Sequence, residues 1–130
     1  MDERRNFPGE ELKKAAVLFL QLVVGGRIDE AYSEYVDMNG VHHNLYFPAG
    51  FNALRDAMIE NHSQFPDKKL TVRHVICEDD IVAVHSQLIL KPGAGMSVVH
   101  LFRFSGGRIT EMWDCGQPVP EDSPNSDGAF

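Results

Sequence analysis

The sequence predicts one α+β domain, with helices first and a curved antiparallel sheet after them. Three observations carry that expectation. Up to about Phe65 the apolar residues recur at helical spacing, whereas from Leu70 onward they alternate with a period of two. Gly, Pro, Asn and Asp clusters fall where one pattern stops and the next begins. At 130 residues there is room for one full core and not for two, and 43 % hydrophobic with 24 % charged residues is an ordinary globular composition. The domain is therefore read as residues 1–130, with an irregular tail over about 116–130.

Pro8-Gly9 opens the first helix, and Glu10 and Glu11 occupy the turn where the helix dipole favours acids. Leu12, Ala15, Ala16, Phe19, Leu22 and Val23 form its stripe, and Gly25-Gly26 stops it. A short second helix follows, with Ile28, Ala31, Tyr32, Tyr35 and Val36 on one side, broken by Asn39-Gly40. Val41 to Leu45 reads as a short extended segment. Phe51, Leu54, Ala57, Met58 and His62 share the face of a third helix that ends before Pro66. In the next strand, Leu70, Val72, His74 and Ile76 alternate with Thr71, Arg73, Val75 and Cys77. Strands Ile81 to Leu90, Met96 to Phe104 and Arg108 to Cys115 follow, the last two joined at Ser105-Gly106-Gly107. One helical layer must cover one sheet face, since neither buries its apolar side alone, and a twisted sheet curling round helices leaves a pocket.

Twelve Lys and Arg against 19 Asp and Glu give a net charge of −7. Such a chain is a poor nucleic-acid binder, because that affinity comes mostly from cations meeting phosphates. The basic pairs Arg4-Arg5, Lys13-Lys14 and Lys68-Lys69 are short and flanked by acids. The start, Met1-Asp2-Glu3-Arg4-Arg5, lacks a signal peptide's apolar stretch, and the run Ala15 to Val24 is too short to span a bilayer. Cys77 and Cys115 are read as buried or half-buried thiols in a reducing cytoplasm. The expectation is a cytoplasmic protein with no membrane and no nucleic-acid partner.

Asp114, at the end of the last strand, is the residue best suited to chemistry. A three-residue loop at Gly106-Gly107 would set Val98 across from Asp114 and put His100, Phe102, Met112 and Asp114 on one face, with Trp113 and Glu111 on the other. A two-residue loop would instead pair His100 with Trp113. A carboxylate on that apolar face is a usable proton acceptor; a solvated strand-end Asp is the alternative. If Asp79-Asp80 make a two-residue turn, His74 faces His85. No His-x-x-x-His or tight His-x-His pair marks a metal site, and adjacent His42 and His43 point to opposite faces. Phosphate loops and nucleophile elbows are absent from the sequence.

Four segments carry a family resemblance. They are Val41-His42-His43-Asn44, Glu78-Asp79-Asp80 leading to Val82-Ala83-Val84-His85, Leu101-Phe102-Arg103-Phe104, and Gly106-Gly107-Arg108-Ile109 running into Glu111-Met112-Trp113-Asp114. With the tail Gln117-Pro118-Val119-Pro120 they resemble the SnoaL-like polyketide cyclases of the nuclear-transport-factor-like superfamily, relatives of ketosteroid isomerases and scytalone dehydratases. The resemblance implies a cone-shaped α+β fold with an internal cavity, usually dimeric through the outer sheet face. It also implies aldol-type chemistry without metal or organic cofactor. It assigns acid/base work to Asp114, a place at the cavity mouth to His43 and Asn44, and a strand-histidine role to His85. His100 departs from the family, where Asp is common at that position.

The expected activity is therefore proton transfer next to a carbonyl in a small hydrophobic compound. Asp114 would take the proton, and His100, His43 or Asn44 would hydrogen-bond the enolate oxygen. Phe102, Met112, Met58, Trp113 and His85 are the remaining candidate ligand contacts, with Phe19 and Leu54 as cavity wall. The alternatives are a non-catalytic small-molecule binder of the same fold and a structural dimer module.

Overall fold

The computed structural model describes residues 7–130, so the readings placed on Met1 to Arg5 lie outside the described residues. Three helices, α1 (Gly9–Val24), α2 (Ile28–Tyr35) and α3 (Phe51–Gln64), accompany strands β1 (Val36–His42), β2 (Lys69–Glu78), β3 (Ile81–Ile89), β4 (Gly95–Ser105) and β5 (Arg108–Pro118). The strands form one curved, unclosed sheet in the order β1-β5-β4-β3-β2. This is the expected cone-shaped α+β architecture, with one amendment. β1 runs parallel to β5, so the sheet is mixed.

α1 begins where expected, with the Pro8 carbonyl accepting from the amides of Glu11 and Leu12 at 3.0 and 3.2 Å. It buries Leu12, Ala16, Phe19, Leu20 and Val23. An edge-to-face aromatic chain fills the interior. Phe19 meets Tyr32 and Phe102 with ring centres at 5.3 and 5.7 Å, and Tyr32 reaches Phe51 at 6.3 Å.

Three local features differ from the period-based reading. Asn39-Gly40 does not end α2; Val36 already belongs to β1, which passes through both residues. Gly40 is required there by close approach, since a Cβ would lie 2.2 Å from the Thr110 carbonyl oxygen. β2 carries a bulge between Val72 and His74, so Leu70, Val72, Val75 and Cys77 pack inward while Ile76 is 63 % exposed. β5 continues to Pro118, shortening the irregular tail. Cys77 is half-buried as expected, but Cys115 is exposed.

The β4–β5 hairpin decides the site. Gly106 and Gly107, with φ of 60° and 80°, make a two-residue loop, not the three-residue one expected. That loop alone would have set His100 opposite Trp113. A bulge at Thr110 shifts the register by one, pairing Phe104 with Ile109 but Arg103 with Glu111, Phe102 with Met112 and His100 with Asp114. Val98 faces Gly116. The shared face of His100, Phe102, Met112 and Asp114 is thus as expected, reached by a different route.

Candidate functional site

Asp114 stands on the inner sheet face directly across from His100. The loop after β1 supplies its partner, since Asn44 Nδ2 donates to Asp114 Oδ2 at 2.9 Å. Asn44 is itself fixed from both sides. Its amide donates to His42 Nδ1 at 3.1 Å, and its Oδ1 accepts from the Tyr46 amide at 3.0 Å. His42 Nε2 donates to the Pro48 carbonyl at 2.8 Å, so the imidazole carries its proton on Nε2. The His43 amide donates to the Met112 carbonyl at 2.8 Å, which ties this loop to the strand bearing Asp114.

The charges around Asp114 are ordered by burial. Burial lowers the His100 pKa from the ordinary imidazole value, against the pull of the Asp114 carboxylate. His100 is therefore neutral at neutral pH. Tyr32, 2 % exposed on α2, has its pKa raised by burial and then by the Asp114 charge, with Arg55 opposing. Its phenol stays protonated and is available as a donor. A carboxylate flanked by a neutral imidazole, a phenol and a carboxamide can accept a proton while neutral donors meet developing charge nearby.

The predicted residues divide between the two faces. Asp114, His100 and Asn44 come together; His43, His85 and Trp113 do not. His43 was expected at the cavity mouth, but it pairs with Glu111 at 2.7 Å and stacks on Trp113 with ring centres 5.1 Å apart, both on the outer face. The side chain that turns inward is its neighbour His42, 8 % exposed, because strand alternation sends adjacent residues opposite ways. His85 is outward too, with Nδ1 3.0 Å from His74 Nδ1 and Nε2 3.1 Å from Ser97 Oγ. The facing of His74 and His85 across the Asp79-Asp80 turn is as expected. Phe102, Met112, Phe19 and Leu54 are buried core, and Met58 packs against it.

Sequence reasoning missed Tyr32 and His42. The signal for Tyr32 was a phenol in an otherwise apolar stripe, which needs a polar outlet when buried. The expected cavity also shifts. Two clefts, of about 660 and 350 Å³, meet at Phe7, Leu12, Gly106 and Gly107, at the hairpin end of the sheet, and neither includes Asp114. The Phe19–Tyr32–Phe51 chain occupies the interior instead.

Residues 17–112 match the family model described as a SnoaL-like domain. The chain belongs to the SnoaL-like family. The resemblance drawn from the sequence is therefore met, and solved structures share the SnoaL-like fold at low identity. AclR of Streptomyces galilaeus, a candidate hydroxylase, is 20 % identical with a TM-score of 0.71, over 85 % of this chain and 91 % of its own. A SnoaL-like polyketide cyclase of Agrobacterium tumefaciens is 15 % identical with a TM-score of 0.67, over 82 % and 91 %. An NTF-2 like protein of unknown function from Burkholderia xenovorans is 16 % identical with a TM-score of 0.69, over 89 % of each chain. No curated protein matches this sequence. Among the described residues, no helix is long and apolar enough to cross a membrane.

Proposed function

We propose that this SnoaL-like chain is a cofactor-independent acid–base enzyme that moves a proton next to a carbonyl in a small hydrophobic compound, for aldol closure or isomerisation. The observation that carries the reading is the Asp114 carboxylate, held at Oδ2 by Asn44 and set across from a neutral His100. Asp114 Oδ1 makes no hydrogen bond among the described residues and faces the substrate carbon. It takes the α-proton, and the charge moves to the substrate oxygen. Tyr32 and His100 donate to that enolate oxygen, and each is neutral, so neither quenches Asp114 beforehand. Asn44 positions the carboxylate. Aldol closure then joins the enolate carbon to a second carbonyl, and isomerisation returns the proton elsewhere on the substrate.

The reading includes a cytoplasmic location and a homodimer formed through the outer sheet face, where Ile76 and Val99 are exposed. It is tested with 2-tetralone in D2O, following loss of the α-proton signals by NMR. Asp114→Asn is expected to fold and still bind, while exchange falls by roughly 10²–10⁴-fold. Unchanged exchange in that variant rejects the role of Asp114.

A second reading, a non-catalytic binder of small molecules, is favoured by the aromatic filling of the interior and by clefts that lie away from Asp114. Binding of 2-tetralone without exchange above the uncatalysed rate selects it.

A further inference from the structure

Beyond Pro118 the chain turns back over the outer face of its own sheet. The Val119 amide donates to the Gly95 carbonyl at 2.9 Å, which pins the tail beside the start of β4. Further along, the tail bonds to itself. The Asn125 amide donates to Ser123 Oγ at 3.1 Å, and the Asp127 amide to Asn125 Oδ1 at 3.0 Å. Gly128, with a φ of 78°, makes the last turn, its amide donating to the Asn125 carbonyl at 3.2 Å.

Phe130 is the second anchor. Its ring stacks on the His85 imidazole with centres 5.5 Å apart, and the Arg73 guanidinium carbon lies 5.1 Å from its centre. Both receiving groups are fixed in place. His85 is held between His74 and Ser97, and Arg73 donates to Gln87 Oε1 at 2.9 Å. The bulge in β2 is what leaves Arg73 and His74 exposed side by side.

The ring lands beside the bare apolar part of this face. His85 stands directly across from Val99 on β4 and from His74 on β2, and Ile76 is the next outward residue after His74. Ile76 and Val99 are both exposed. Two sheets packed face to face lie about 10 Å apart, with their side chains interdigitated. A phenyl ring on His85 fills that layer, so a second copy cannot seat against His85 and Val99 while it is there. In a two-fold dimer each copy brings the same obstruction.

We propose that the tail Val119–Phe130 is a strap that competes with a second copy of this chain for the outer sheet face. Closed, it holds the chain as a monomer; lifted, it hands His85, Val99 and Ile76 to the partner. The strap rests on the reading of that face as the homodimer interface. Its ordering costs chain entropy and is repaid at two anchor points, so it opens without disturbing the core.

The test is sedimentation equilibrium of the wild-type, Phe130→Ala and Phe130→Tyr chains, with NMR of the His85 ring protons. Phe130→Ala is expected to shift those protons, because the ring current above them is gone. It is also expected to tighten the dimer about tenfold or more, since the open fraction of each copy enters the dissociation constant. Phe130→Tyr keeps the stacked ring and should stay within about twofold of wild type. A Phe130→Ala dimer no tighter than wild type overturns the strap, and a weaker one places Phe130 inside the interface. His85 protons indifferent to Phe130→Ala overturn it as well, by showing that the ring does not dock. Failure of the homodimer reading shows separately, as shifted His85 protons in a Phe130→Ala chain that stays monomeric at millimolar concentration, and it leaves the strap nothing to oppose.

Discussion

Asn44 and Asp114, 70 positions apart in the chain, are joined by a 2.9 Å hydrogen bond from Nδ2 to Oδ2. Asn44 is held in turn by His42 and Tyr46, so one carboxamide connects the loop after β1 to the end of β5. Asn44→Ala removes that connection. It is expected to cost about 1–2 kcal/mol in urea denaturation and to slow 2-tetralone exchange while leaving its affinity nearly unchanged. Equal loss of affinity and rate would place Asn44 in ligand binding instead of positioning.

The lowered pKa of His100 makes stability depend on pH. Folding favours its neutral form, so the unfolded chain takes up a proton first as pH falls below the ordinary imidazole value of 6.5. Stability from this group is therefore full above about pH 6.5 and declines as pH drops toward the folded pKa. Urea midpoints measured from pH 7 to pH 5 should show that slope, and His100→Gln should flatten it. An NMR titration of His100 in Asp114→Asn should move further down, because the carboxylate that favours the imidazolium has gone.

Glu111 reports on the other face. The hydrogen bond from His43 holds its pKa below the ordinary carboxylate value, partial desolvation pushes the other way, and Arg103 adds a further lowering. His43→Ala should raise the Glu111 titration midpoint seen by carboxyl-carbon NMR. The difference should shrink in high salt, since the groups are solvent-exposed. A midpoint indifferent to His43 would mean the pair is not formed in solution.

Gly40→Ala places a methyl group 2.2 Å from the Thr110 carbonyl oxygen and 2.9 Å from the Phe51 ring. Overpacking against backbone is expected to cost roughly 1–3 kcal/mol, read as a lower urea midpoint. Exchange activity should fall too, because β1 and the Thr110 bulge set the height of Asn44 and Asp114. A variant with wild-type stability would show that β1 can slide on β5.

Much of this was legible from spacing. The helices of the Leu12–Val23 and Phe51–His62 stripes and the hairpin at Gly106-Gly107 follow from periodicity and turn chemistry. The shared face of His100 and Asp114 needed the Thr110 bulge, because the two-residue loop alone sets His100 opposite Trp113. Bulges were not legible, because an extra residue in a strand changes pairing without changing composition. Thr110 altered which residues oppose one another, and the bulge near Arg73 turned Ile76 outward. Choosing between His42 and His43 needed the pairing of β1 with β5, a parallel contact from the far end of the chain. Tyr32 was hidden for a similar reason, since its partner charge lies on β5.

Trp113 is the sole tryptophan of the chain and adjoins Asp114 in sequence. Its indole stacks on the His43 ring, and the Arg103 guanidinium carbon is 5.8 Å from the indole centre. The intrinsic ultraviolet emission of the whole protein therefore comes chiefly from one indole, a single peptide link from the carboxylate. Closing a second copy over the sheet or seating a ligand against Asp114 should each alter its brightness or colour. The molecule carries its own dye, and stopped-flow fluorimetry can time events at Asp114 without a label.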